Sequence, residues 1–135
     1  MINKKVVGFA AVSLMLVLAG LILFISKRSY PLILPKEVNL KNVQLSDKTT
    51  FSIKIKNATN STVDIPRIYT SCGCTTVLDP KVSFTLAPYS SAEVSLQFDP
   101  SSMHKNGDDV LHEIYVLTSS PLQKEFIVQL KGKIL

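Results

Sequence analysis

Phe51-Ser52-Ile53-Lys54-Ile55-Lys56 alternates apolar and polar side chains, one by one. Successive side chains of a strand point to opposite faces of a sheet, so this hexamer has one buried and one wet face. A helix would need apolar residues every three or four positions. The same period of two runs through Val94, Leu96 and Phe98 against Glu93, Ser95 and Gln97. It recurs in Phe126, Val128 and Leu130 against Glu125, Gln129 and Lys131, with Ile127 out of phase. Further strands are expected at Val38–Leu45, Val63–Thr70, Val82–Leu86 and Val110–Thr118. Between them lie turn-forming clusters: Asn57-Ala58-Thr59-Asn60, Ala87-Pro88-Tyr89-Ser90, Asp99-Pro100, Asn106-Gly107-Asp108 and Ser119-Ser120-Pro121. No segment after residue 30 carries a sustained helical stripe. About seven short strands in roughly a hundred residues predict an all-β, immunoglobulin-like antiparallel β-sandwich. A domain of that size buries enough apolar surface to fold alone, with little margin.

Upstream of this pattern, Val6 to Ile25 reads VVGFAAVSLMLVLAGLILFI and holds no charge. At about 1.5 Å per residue, a helix of that length reaches about 30 Å, the hydrocarbon thickness of a bilayer. Lys4 and Lys5 flank one end, and Lys27 and Arg28 the other, where they reach the headgroups. The expected organisation is a short tail over 1–5, a single-pass signal anchor over 6–25, a stalk over 26–36 and the sandwich over 37–135. Pro31 and Pro35 keep the stalk extended, and Leu32, Ile33 and Leu34 either touch the membrane interface or begin the first strand. The rival reading is a cleaved signal peptide, with Val17-Leu18-Ala19 as its small-residue site. Cleavage there would leave Leu21 to Ile25 exposed, and a lipoprotein signal would need a Cys where Leu21 stands. Flanking charge does not decide orientation, because two basic residues stand on each side. The domain is expected outside the cytoplasm, on the periplasmic side, as is usual for anchors with short tails.

The net charge of +5 owes four of its fifteen basic residues to those flanks. From Ser29 onward, eleven basic side chains face ten acidic ones. No basic stripe interleaved with aromatics is present, so nucleic acid is not an expected partner.

The hexapeptide Thr70-Ser71-Cys72-Gly73-Cys74-Thr75 follows a segment holding Val63, Ile65 and Ile68. Phe51-x-Ile53-x-Ile55-x-Asn57 precedes it. Phe84-x-Leu86-x-Pro88, Val94-x-Leu96-x-Phe98-Asp99-Pro100 and Leu130-Lys131-Gly132 follow. This order, over roughly residues 38–135, resembles a bacterial uncharacterised-domain family marked by a Ser-Cys-Gly-Cys-Thr motif and related to the ASH/hydin-type immunoglobulin-like domains. The resemblance implies a β-sandwich in an exported or membrane-anchored protein, and no reaction. One departure concerns the turn before the Val94 strand. Relatives usually carry Pro-Gly there, whereas Pro88 is followed by Tyr89, which implies a wider turn.

Cys72 and Cys74 are the chain's two cysteines. The chain has no Trp to pack on an inter-sheet bridge of the antibody type. Three readings of the pair stand side by side. On a straight strand, residues two apart lie near the upper limit of separation that a disulfide accepts, and Gly73 lets the backbone turn so that they meet. Such a bridge closes a three-residue loop and gains only about 1.6 kcal/mol of loop entropy, so it shapes a corner more than it staples a domain. Alternatively, Cys72 and Cys74 bind a soft metal such as Cu(I), or supply half of a zinc tetrahedron. Met103, His104 and His112 are the further ligands on offer, although neither histidine stands at a ligand-like spacing. In the third reading the pair exchanges disulfides with a partner, without the helix start that redox enzymes use.

His104 lies in the polar loop 101–107 and is expected in solvent. His112 shares strand parity with Val110, Ile114 and Val116 and is expected to be half-buried. Asp108-Asp109 beside Gly107 reads as a turn, and too few oxygen ligands stand near it for calcium. Asn57-Ala58-Thr59 and Asn60-Ser61-Thr62 are formal glycosylation sequons. No catalytic set and no phosphate cradle emerges. The function expected is therefore a non-enzymatic protein-interaction or envelope-structural module. The alternative is copper or thiol handling at the Cys-Gly-Cys motif.

Overall fold

The computed structural model describes residues 13–19 and 30–135. Residues 13–19 are helical and exposed. Among the described residues, no helix is long and apolar enough to cross a membrane. The anchor expected over 6–25 lies for the most part outside the described residues, as does the tail over 1–5.

Ten strands follow: β1 (Leu32–Ile33), β2 (Glu37–Val43), β3 (Thr49–Asn57), β4 (Val63–Ile65), β5 (Ile68–Thr70), β6 (Thr75–Asp79), β7 (Phe84–Leu86), β8 (Ser91–Phe98), β9 (Asp109–Leu117) and β10 (Glu125–Ile134). They make one sheet in the order β1-β3-β8-β6, a second in the order β2-β10-β9-β5, and a ribbon of β4 with β7. The fold is thus all-β and sandwich-like, as the alternation predicted, with two corrections. There are ten strands rather than about seven, and the pairing is mixed because β2 runs parallel to β10.

Each added strand has a local cause. Pro66 lacks the N–H that would continue a ladder, so the segment 63–70 breaks in two. Val63–Ile65 pairs with β7, and Ile68–Thr70 pairs with β9. Leu32–Ile33, at the end of the segment expected as a stalk, pairs with Asn57 and Lys56. Leu32 is buried in the core. Thr75–Asp79 pairs with β8 although only Val77 and Leu78 are apolar, a pattern too short for periodicity to register.

The alternating residues meet between the sheets. Ile53, Ile55, Val94, Leu96, Ile114, Val116 and Val128 are each at most 1 % exposed and form the main core. A second cluster closes the end of the sandwich remote from Leu32: Val43, Cys72, Cys74, Phe98, Val110, Leu130 and Ile134. Burying such side chains contributes about 1.5–3 kcal/mol each. Ile127, out of phase, is on the outer face and exposed.

Asn57 ends β3 and is fully buried. Its Nδ2 donates to the carbonyls of Ser61 (2.7 Å), Leu86 (3.2 Å) and Ala87 (3.0 Å), and its Oδ1 accepts from the Thr59 amide (2.9 Å) and hydroxyl (2.8 Å). The sequon at Asn57 is therefore closed in the folded domain, whereas Asn60 is exposed. The turn at Ala87-Pro88-Tyr89-Ser90 is tight, not wide: Ser90 N–H donates to Ala87 C=O at 3.1 Å. Tyr89 takes the left-handed conformation there, with φ 57°, the region that glycine adopts freely.

Candidate functional site

The chain crosses from one sheet to the other between β5 and β6, and Thr70-Ser71-Cys72-Gly73-Cys74-Thr75 makes that crossing. Each residue has a task. The Thr70 hydroxyl lies 2.9 Å from the Cys72 carbonyl and 2.8 Å from that of Thr75. Ser71 extends the pairing with β9: its N–H donates to Glu113 C=O at 2.9 Å, and its Oγ accepts from Glu113 N–H at 2.9 Å. Thr75 N–H donates back to Cys72 C=O at 3.3 Å, closing a turn, and Asp99 N–H donates to Cys74 C=O at 2.8 Å. The result is a rigid corner with no unsatisfied buried side-chain polar atom among the described residues.

Cys72 and Cys74 are joined by a disulfide across that turn, with their Cα atoms 5.2 Å apart. Cys74 N–H donates to Cys72 Sγ at 3.0 Å. Cys72 is 9 % exposed and Cys74 1 %. Gly73 does not have a positive φ, and a Cβ built on it would meet nothing within 4 Å. Its role is thus not the left-handed turn that glycine alone supplies.

The ladder from Ser71 to Glu113 brings His112 to the cysteines, a neighbourhood their spacing in sequence did not suggest. A ring nitrogen of His112 and the two sulfurs all lie within 4.8 Å of one another. His104 is also not where it was expected. Asp99 caps the 3-10 turn Pro100–Ser102, its carboxylate accepting from Ser101 N–H at 3.1 Å, and His104 N–H then donates to Pro100 C=O at 3.0 Å. This folds the loop back, and the His104 side chain is only 9 % exposed. Its ring packs on Phe98, with centroids 5.6 Å apart, and edge-on to His112 at 5.2 Å. The two Nε2 atoms are 3.0 Å apart, one donating and the other accepting. His104 Nδ1 faces the Asp108 carboxylate at 3.8 Å.

Burial, and then the neighbouring His104, push the pKa of His112 below its ordinary 6.5. The imidazole is therefore neutral at pH 7, with a lone pair on one nitrogen. Two disulfide-bonded sulfurs and one imidazole thus converge, backed by a second histidine. Met103, the remaining sulfur on offer, is exposed. No sequence periodicity marks His104, since its burial depends on a loop that doubles back.

A second feature lies on the β5–β6 side. β6 is hydrogen-bonded to a strand on one side only, and beside it runs a groove of about 420 Å³ lined by Ile65, Arg67, Ile68, Thr76, Val77 and Lys81 among others. A third is a hollow of about 370 Å³, lined by Tyr30, Ile33, Pro35 and Ile127 among others, where the chain enters the domain.

The fold has known counterparts. A protein of unknown function from Porphyromonas gingivalis W83 superposes with a TM-score of 0.64 at 14% identity, over 76% of this chain and 46% of its own. The ASH/PapD-like domain 7 of human CEP192 gives a TM-score of 0.60 at 13% identity, over 82% of this chain and 89% of its own. The YadV chaperone gives 0.61 at 13% identity, over 78% and 52%. This chain therefore spans about half the length of the first and third. At these identities the likeness is one of fold. Among curated proteins none matches. Residues 33–134, most of the chain, match the family described as protein of unknown function DUF1573, and the chain belongs to that family.

Proposed function

We propose that this chain is a membrane-anchored, extracytoplasmic, non-enzymatic interaction module that binds an extended segment of a protein partner along the free edge of β6. The observation that carries the reading is that edge: a strand with unpaired backbone groups bordering an open groove invites one more strand. Arg67 and Lys81 flank the groove and favour an acidic segment. The PapD-like and ASH-like fold supports an interaction role, since such sandwiches present edges and end loops rather than a catalytic pocket. The uncharged run over 6–25 supplies the anchor, and the disulfide suits a compartment outside the cytoplasm.

The test is a photo-crosslinking side chain at Thr76 of the full chain, expressed at native level in intact membranes. A second protein is expected in the crosslinked product, and the yield falls when Arg67→Glu and Lys81→Glu are added. Crosslinks confined to copies of the chain itself would refute the reading. For the anchor, carbonate washing is expected to leave the chain in the membrane, and protease added outside spheroplasts is expected to digest the domain. Release by carbonate, or protection from protease, would refute that part.

A further inference from the structure

We propose that, once the Cys72–Cys74 bridge is reduced, the two thiolates and a ring nitrogen of His112 form a three-coordinate site for Cu(I), with His104 and Asp108 as its outer support. The inference is independent of the partner reading above, since none of its ligands, Cys72, Cys74 and His112, lies in β6 or lines the groove beside it.

The geometry points to it in three steps. The ligand atoms already lie within 4.8 Å of one another. Three atoms around one ion at bonds of about 2.0–2.3 Å stand about 3.5–4 Å apart, so small side-chain rotations complete the site. The backbone around it is fixed by the Ser71–Glu113 ladder and by the Asp99–Cys74 bond, which hold both cysteines and the His112 strand in register. Lastly, His112 has the outer partner that metal-binding histidines usually have. Its Nε2 is 3.0 Å from His104 Nε2, and His104 Nδ1 faces Asp108. A hydrogen-bonded partner behind a ligating histidine fixes its ring orientation.

The chemistry selects the ion. Two soft thiolates and one imidazole, the cysteines buried and His112 half-buried, match Cu(I), which accepts low coordination and soft donors. Structural zinc takes four ligands, and only three close here among the described residues. Cys74 N–H, 3.0 Å from Cys72 Sγ, stabilises charge on that sulfur.

The bridge makes the site redox-gated. A dithiol reductant breaks the sulfur–sulfur bond, delivers two electrons and two protons to the pair, and leaves as its own disulfide. The two thiols release their protons to water as Cu(I) binds. The closed ring is three residues long, so chain entropy contributes little to keeping it shut.

The experiment uses the full chain in non-ionic detergent. The chain is reduced with a phosphine, desalted without oxygen, and titrated with Cu(I) against bicinchoninate, a chromogenic Cu(I) chelator. One Cu(I) per reduced chain is expected, and none on the disulfide form. X-ray absorption is expected to show two sulfurs and one nitrogen around copper. His112→Gln is expected to weaken binding about a hundredfold and His104→Gln about tenfold. Circular dichroism verifies that the variants are folded. Should His112→Gln fail to fold, the ring ¹⁵N shifts of His112 in the unmodified chain, with and without Cu(I), report the same bond. Failure of the reduced chain to take copper from the chelator, a sulfur-only shell, or preference for Zn(II) over Cu(I) would each overturn the proposal.

Discussion

Replacing Asn57 tests how the ends of the two core strands are joined. Asn57 is fully buried and uses all of its hydrogen-bonding capacity, reaching three carbonyls and the Thr59 amide and hydroxyl. Asn57→Ala takes a donor from the Leu86 carbonyl and the acceptor from the Thr59 N–H, while the Ala87 carbonyl keeps the Ser90 N–H and hydroxyl. At about 1–3 kcal/mol for each of these two groups, partly relieved by water at the more open position, the loss is about 2–4 kcal/mol. That is a large share of the roughly 5–15 kcal/mol that holds a typical domain folded. Asn57→Asp keeps the volume but turns a donor toward three carbonyl oxygens into an acceptor. Burial and those oxygens raise the folded pKa of the introduced carboxyl above its unfolded value of about 3.9. A group raised on folding gives stability that is present below the unfolded pKa and lost as pH rises through the folded one. The Asp variant is therefore expected to be less stable than the Ala variant at pH 7, and the gap to close toward pH 4. Guanidinium unfolding of the full chain in non-ionic detergent, followed by circular dichroism at both pH values, measures this. An Ala variant losing less than about 1 kcal/mol, or an Asp variant no worse than Ala at pH 7, would rule out this role for Asn57.

Other positions give sharper local tests. Tyr89→Gly removes a left-handed strain of about 1–2 kcal/mol and returns about 0.4–1 kcal/mol through the more flexible unfolded chain, for a net gain of about 0.5–1 kcal/mol. A thermal midpoint several degrees higher is expected, and a lower one would sink the turn assignment. Gly73→Ala is expected to change stability by less than about 0.5 kcal/mol. Gly132→Ala meets the Lys41 carbonyl at 3.3 Å and Leu40 Cβ at 3.4 Å and is expected to lose about 1 kcal/mol or more. Equal unfolding midpoints for these two variants would contradict the packing. Tyr115 donates to Glu113, which pushes its pKa from 10.0 up to about 12. Its contribution to stability is thus present below pH 10.0 and lost as pH rises toward about 12. Ultraviolet titration is expected to show a late tyrosinate phase that Tyr115→Phe removes.

Alternation in Phe51–Lys56, Glu93–Phe98 and Glu125–Lys131 determined the fold class, because a period of two needs only near neighbours to be seen. It also placed Ile53, Val94 and Val128 in the core, where the structure finds them. The Thr70–Thr75 string was legible as a site for the same reason: its two cysteines are close in sequence. Tertiary structure alone decided the rest. The parallel pairing of β2 with β10 joins the two ends of the domain, and no local pattern encodes a partner ninety residues away. The passage of the chain between sheets at Ser71 made His112 a neighbour of the cysteines, and a doubled-back loop buried His104. Periodicity reports which face a side chain takes, but chemistry at a site depends on which strands lie side by side, and long-range packing fixes that.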